Sequence, residues 1–164
     1  MAELIKLEDT NFIGRPNWTG TARPEKGQRF FQRSGGIMVN NQDALDKLTA
    51  MGFRVYETTP RPGEEAGFIP KYYIYAEMNF KGEGNCQYDP TIYLMSNGRK
   101  TKLDKFTVGQ LDDIPVSKVN VMINLKISDK GIRHAYVHVM YCWQALDDDP
   151  VYRANVYDPW ADKY

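Results

Sequence analysis

From residue 119 to residue 143 the chain is almost entirely strand pattern. Residues 119–127 read VNVMINLKI, with apolar and polar side chains alternating for much of the run, and residues 132–143 read IRHAYVHVMYCW, rich in β-branched and aromatic types. A period of two sends successive side chains to opposite faces of an extended chain, so each run wets one face and buries the other. Half-buried strands of this kind pair antiparallel, and Asp129, Lys130 and Gly131 make a short loop between the two. The fold must therefore be built around a β-sheet that needs a cover for its apolar face.

The remaining strand signals agree. Residues 72–80 (YYIYAEMNF) and 91–95 (TIYLM) are strand-like, and Asn97-Gly98 within residues 95–103 is a strong hairpin signal, because both positions tolerate a positive φ. Two further strands are expected at 4–9 and at 37–39 with the residues before it. One helix is expected at about residues 41–51. Asn40 and Asn41 offer N-cap oxygens, Ala44, Leu45, Leu48 and Met51 recur at helical spacing, and Gly52 can take the left-handed conformation that ends the helix. A weaker helical turn is expected at 107–111, and residues 58–70 read as a loop by their Pro and Gly content. Short strands with one inserted helix predict a mainly β chain: a small antiparallel, partly open barrel of the oligonucleotide-binding (OB) kind. A plain antiparallel sheet with a helix packed on one face fits the same pattern. Residues 1–146 would form the domain, and residues 147–164, which lack periodicity, an acidic and flexible tail.

The charges cancel, 21 Lys+Arg against 21 Asp+Glu, so no global field draws the chain to nucleic acid or membrane. Their distribution is uneven. The tail holds five aspartates (Asp147, Asp148, Asp149, Asp158, Asp162) against Arg153 and Lys163, a net of −3, leaving 19 cations and 16 acids before it, a net of +3. Two distant cysteines, Cys86 and Cys142, imply reduced thiols rather than a disulfide scaffold. No apolar run is long enough to span a membrane, and the first eight residues are too short and too charged for a signal peptide, so a cytoplasmic protein is expected.

No catalytic constellation assembles. His134 and His138 lie four apart on a strand, about 13 Å at strand rise, too far to share an ion. The acid pairs Glu64-Glu65 and Asp112-Asp113 sit in loops and turns, and three consecutive aspartates at 147–149 are ordinarily solvated. No nucleophile or phosphate-loop spacing occurs. A binding module without cofactor or metal is expected, not an enzyme.

Rings and cations supply the alternative. Eleven Tyr, seven Phe and three Trp exceed what this core needs. Residues 11–33 set Arg15, Arg23, Lys26, Arg29 and Arg33 against one acid, Glu25, and interleave Phe12, Trp18, Phe30 and Phe31 with glycines. Cations that track a phosphate backbone among rings on which bases stack are what sequence-tolerant single-strand binding requires. Trp18, between Pro16-Asn17 and Thr19-Gly20, reads as the ring furthest from any core and hence as a stacking platform. Tyr72, Tyr73 and Tyr75 occupy both faces of one strand, so at least one phenol of the trio should face outward. With Lys71, Arg99, Lys100 and Lys102, outward rings such as Tyr73 would extend the surface. The same rings could instead anchor a protein partner.

The order of segments resembles a family of bacteriophage proteins taken to be single-stranded-DNA-binding proteins of the OB fold. The likeness is carried by NFIGR at 11–15, GQRFF at 27–31, an Ala/Leu helix closing in GFRV at 52–55, PRPGEE at 60–65, IYLMSNGRKTKLD at 92–104, GIRHAY at 131–136 and Met140-Tyr141. It spans most of residues 11–143. The resemblance implies a protein that coats single-stranded DNA during phage replication or recombination, in the host cytoplasm. Residues 32–36 read as an insertion that adds Arg33 and two glycines to a flexible binding loop. The tail is similar to the acidic, aromatic-tipped tails by which single-strand binders recruit replication or recombination proteins, which makes Asp147, Asp148, Asp149, Asp158 and Trp160 candidate partner contacts. Whether protomers pair is left open. The other function open to the chain is a protein-interaction module, such as a phage inhibitor of a host defence enzyme.

Overall fold

The computed structural model describes residues 2–22, 31–83 and 86–145. Nine strands and one α-helix occur among them: β1 (Ala2–Thr10), β2 (Phe12–Ala22), β3 (Phe31–Val39), α1 (Gln42–Ala50), β4 (Tyr56–Glu57), β5 (Tyr72–Met78), β6 (Thr91–Ser96), β7 (Arg99–Leu103), β8 (Val116–Ile127) and β9 (Arg133–Gln144), with a 3-10 helix at Val108–Asp112. The chain is mainly β, a partly open barrel with one inserted helix.

Neighbouring strands run in the order β1-β8-β9-β5-β3-β2. The two ends of this path, β1 and β2, are one bent stretch of chain with Asn11 at the corner. Asn11 holds both flanks: its carbonyl accepts from the Met38 amide of β3 at 3.0 Å, and its Nδ2 donates to the Val116 carbonyl of β8 at 2.9 Å. The sheet therefore curls until its first and last strands share a residue, which is how a small sheet hides most of its edges.

The expected sheet was antiparallel throughout, and here the structure differs. β8 and β9 form the antiparallel pair read from their alternation, but β9 also pairs in parallel with β5, at Glu77 and Tyr136, and with β6, from Thr91–Val139 to Met95–Trp143. The connections between these parallel strands are too distant in sequence for residue alternation to reveal. Local signals held. Asn97 (φ 51°) and Gly98 (φ 76°) turn β6 into β7. The Asn41 side chain caps α1 by accepting from the Ala44 amide at 2.7 Å, and Gly52 (φ 79°) closes it.

The core lies inside the curl. Leu7, Ile37, Ile74, Met78, Ile92, Val119, Ile123, Leu125 and Met140 fill it, and α1 adds Ala44 and Leu48. Cys142 is buried there, and loss of water pushes its thiol up to about 12, so it stays protonated.

Candidate nucleic-acid interface

The β2–β3 pair, where single-strand contacts were first expected, is built as structure. Register slips between Ile13 and Asn17 and again between Asn17 and Thr21 make bulges in β2. Asn17 shapes the second, donating to Thr21 Oγ1 and accepting from the Gly20 amide. The turn-like composition around Trp18 is thus bulge chemistry, and the bulge rotates the indole inward. Trp18 is 0% exposed and packs 5.7 Å from the half-buried Phe12. Gly35 makes the slot: a Cβ there would lie 2.6 Å from the Trp18 ring and 2.9 Å from Pro16. Residues 32–36 are consequently part of β3, not an inserted flexible loop, and Trp18 is no stacking platform.

Arg33 is corrected likewise. It is 4% exposed and forms a two-point pair with buried Glu83, Nε to Oε1 at 3.1 Å and Nη2 to Oε2 at 2.8 Å. Its Nη1 donates to the carbonyls of Trp18 and Thr19. On the other side, Asp112 accepts from the amides of Trp18 and Thr19 and from the Thr19 hydroxyl, at 2.6–2.9 Å. A guanidinium so engaged cannot meet phosphate. Arg15 is exposed, but it binds Asp113 at 2.7 Å, and that hydrogen bond, followed by the charge of Asp113, raises its pKa further. Phe31 opens β3 and its side chain lies outside the described part. Arg23, Lys26 and Arg29, and the tail residues Asp147, Asp148, Asp149, Asp158 and Trp160, also lie outside the described residues.

Rings and cations do converge elsewhere, on the outer face of the sheet. In β5 the alternation sends Ile74, Ala76 and Met78 inward and Tyr73, Tyr75 and Glu77 outward. Tyr56 of β4 lies opposite Tyr73 and stacks on it at 5.5 Å, and it meets Tyr75 edge-on at 5.0 Å. The guanidinium of Arg54 sits 4.7 Å over Tyr56. Tyr75 is 54% exposed. Partial loss of water, then a hydrogen bond with Tyr75, raises the pKa of the Tyr73 phenol, which keeps it neutral.

β9 continues the face. Ala135, Val137, Met140 and Cys142 point in, while His134, Tyr136, Tyr141 and Trp143 point out; a bulge at His138 bridges the two registers. His134 stacks on Tyr136 at 5.4 Å and its Nδ1 lies 3.1 Å from Glu77 Oε2, across the β5–β9 seam. Burial, then the negative charge of Glu77, raises the Tyr136 phenol. Tyr141 stacks on Tyr93 of β6 at 5.3 Å and meets Trp143 at 6.4 Å. Lys100 lies 4.6 Å over Tyr93 and Lys118 4.2 Å over Trp143. Lys118 is also 3.6 Å from Asp9, and Lys126 stands 5.8 Å from Tyr136.

Of the residues singled out from sequence, Tyr73 and Lys100 join this face directly. Lys102 lies opposite outward-facing Tyr93 in the β6–β7 register, and Arg99, next to Lys100 on the strand, falls on the opposite face. Lys71 is exposed two residues before Tyr73. Tyr75 joins it too, an outward member of the trio read from sequence, whereas Tyr56, Tyr93, Tyr136, Tyr141, Trp143, Arg54, Lys118 and Lys126 were not singled out. Alternation before the bulge at His138 was the signal available for Tyr136; Tyr141 and Trp143 needed that bulge, and the partners of β4 and β6 needed the topology.

Among the described residues no group of three or more His, Cys, Asp or Glu side chains is placed to hold a metal ion. No helix among them is long and apolar enough to cross a membrane. No family model, no curated protein and no solved structure matches the chain.

Proposed function

We propose that the chain binds single-stranded DNA without reading its sequence, bases stacking on the outer ring face and phosphates meeting the lysines and arginine beside it. What supports this reading is one observation: Arg54, Lys100, Lys118 and Lys126 each stand over or beside a ring of that face. Cross-strand ring pairs on a wet sheet face contribute about 0.2–1 kcal/mol to stability by themselves. Four cations set against such rings add the second half of a single-strand site, charge beside stacking surface. A role in phage replication or recombination is what the resemblance of segment order implies.

Titration of Trp fluorescence with an oligothymidylate tests it. Trp143 lies on the face and Trp18 inside the core. Binding should quench emission, weaken with salt, and lose its optical signal in Trp143→Phe. Absence of binding at low salt would sink the proposal. It would favour a second reading, a protein-interaction module, which draws on the exposed Ile69, Tyr88 and Phe106 and on the zero net charge.

A further inference from the structure

The rings of the outer face fall at two levels along β9, and the strand register fixes the spacing between them. β5 runs parallel to β9 with Glu77 opposite Tyr136, so Tyr75 stands level with His134 and Tyr73 level with residue 132. Together with Tyr56 these make one cluster, at levels 132–136. β6 also runs parallel to β9, with Tyr93 opposite Tyr141 and Met95 opposite Trp143, which makes a second cluster at levels 141–143. The row between them carries Val139, Thr91 and Met122, with none of Phe, Tyr or Trp. With His138 bulged out, β8 spans the rows from Tyr136 to Tyr141 in four residues, Asn124 to Asn120, so at about 3.3 Å per residue the two rings are about 13 Å apart and the whole track is about 33 Å long. Each cluster has its own cations: Arg54 and Lys126 at the first, Lys100 and Lys118 at the second.

We infer that the site is bipartite, taking a single strand that lies along β9, stacks bases at both ends and leaves the middle nucleotides unstacked. The inference rests on the single-strand reading above. About 13 Å corresponds to about four nucleotides at the stacked rise of roughly 3.4 Å, and fewer if the backbone is stretched. A short oligonucleotide fills one cluster. One of about ten nucleotides reaches both, and its second contact forms at the high effective concentration set by the first. The preferred substrate is therefore a strand of about ten nucleotides or more, within the range of site sizes seen for barrels of this size.

The experiment uses the full chain and oligothymidylates from about 4 to about 20 nucleotides, with affinity read by anisotropy. Affinity should rise in two steps, the second, near ten nucleotides, by at least about tenfold. Tyr93→Ser with Tyr141→Ser should remove the second step and leave short oligonucleotides within about twofold of the parent. Lys100→Glu with Lys118→Glu, which leaves every ring in place, should do the same if the ring variant fails to fold. Abasic positions in the middle of a ten-nucleotide strand should be tolerated, and the same number at one end should abolish the step. A smooth rise with length, or equal loss from middle and end abasic positions, overturns the bipartite site while leaving single-strand binding standing. No binding at any length overturns both.

Discussion

Trp18 and Trp143 are the same side chain in opposite employment. Trp18 sits in a stretch of Pro, Asn, Thr and Gly and is fully buried; Trp143 ends an apolar run and looks outward beside Lys118. The cations invert in the same way. Arg33, two residues before a pair of glycines, is locked inside against Glu83, whereas Lys118 lies over an indole in solvent. What separates the two regions is register. A bulge turned Trp18 inward, and another, at His138 of β9, reset the alternation so that Trp143 faces the wet side. Residue type and local composition alone placed Trp18 wrongly.

The largest effects should come from breaking the inner region. Trp18→Ala removes the largest buried ring from above Gly35 and should cost about 3–5 kcal/mol, lowering the melting temperature by about 10 °C. Glu83→Ala leaves the Arg33 charge buried without its carboxylate and should cost a similar ~3–5 kcal/mol. Thermal denaturation followed by circular dichroism checks both. A Trp18→Ala protein that melts like the parent but binds DNA poorly would restore Trp18 as a stacking ring and collapse the contrast.

The outer region should answer the other way. Trp143→Ala removes a half-exposed ring, so the melting temperature should barely change while affinity for a long oligothymidylate falls by about 1–3 kcal/mol. Titration and melting on one preparation measure both. A large loss of stability with unchanged affinity would make the face a structural ring ladder.

Legibility followed the range of the forces involved. The helix, its Asn41 cap, the Asn97-Gly98 turn and the β8–β9 hairpin could be read, because each is fixed by residues within a few positions of one another. The parallel pairings of β9 with β5 and β6 could not, since they join segments about 50 residues apart and leave no local periodicity. For the site, Tyr73 and Lys100 were visible as outward rings and cations of strands. Arg33 was not, because nothing near it in sequence announces that Glu83 and the Trp18 and Thr19 carbonyls will surround it.

A smaller effect separates charge from stacking on the outer face. Lys118→Ala should reduce the slope of log affinity against log salt by about one unit, as loss of one phosphate contact does. Trp143→Ala should leave that slope unchanged. Titrations at three salt concentrations compare the two, and equal slopes for parent and Lys118→Ala would mean that Lys118 serves only its neighbours Trp143 and Asp9.

The smallest effect lies between the regions. Asp104 follows β7, whose Lys100 serves the outer face, and precedes the 3-10 helix, whose Asp112 holds Trp18. Its carboxylate accepts from the Phe106 amide and from the Thr107 hydroxyl and amide, and these bonds, Phe106 first, lower its pKa below the ordinary carboxylate value. A carboxyl whose folded pKa is depressed stabilises the fold above its unfolded pKa, about 4, and loses that contribution as pH falls through the folded value. Asp104→Ala should therefore melt slightly below the parent at neutral pH, and the gap should close as the pH drops below about 4. Oligonucleotide affinity at neutral pH should not move, because the turn carries neither ring cluster. If Asp104→Ala weakens binding as well, the inner and outer regions are coupled through this turn, and the contrast between Trp18 and Trp143 is one of burial only, not of independent roles.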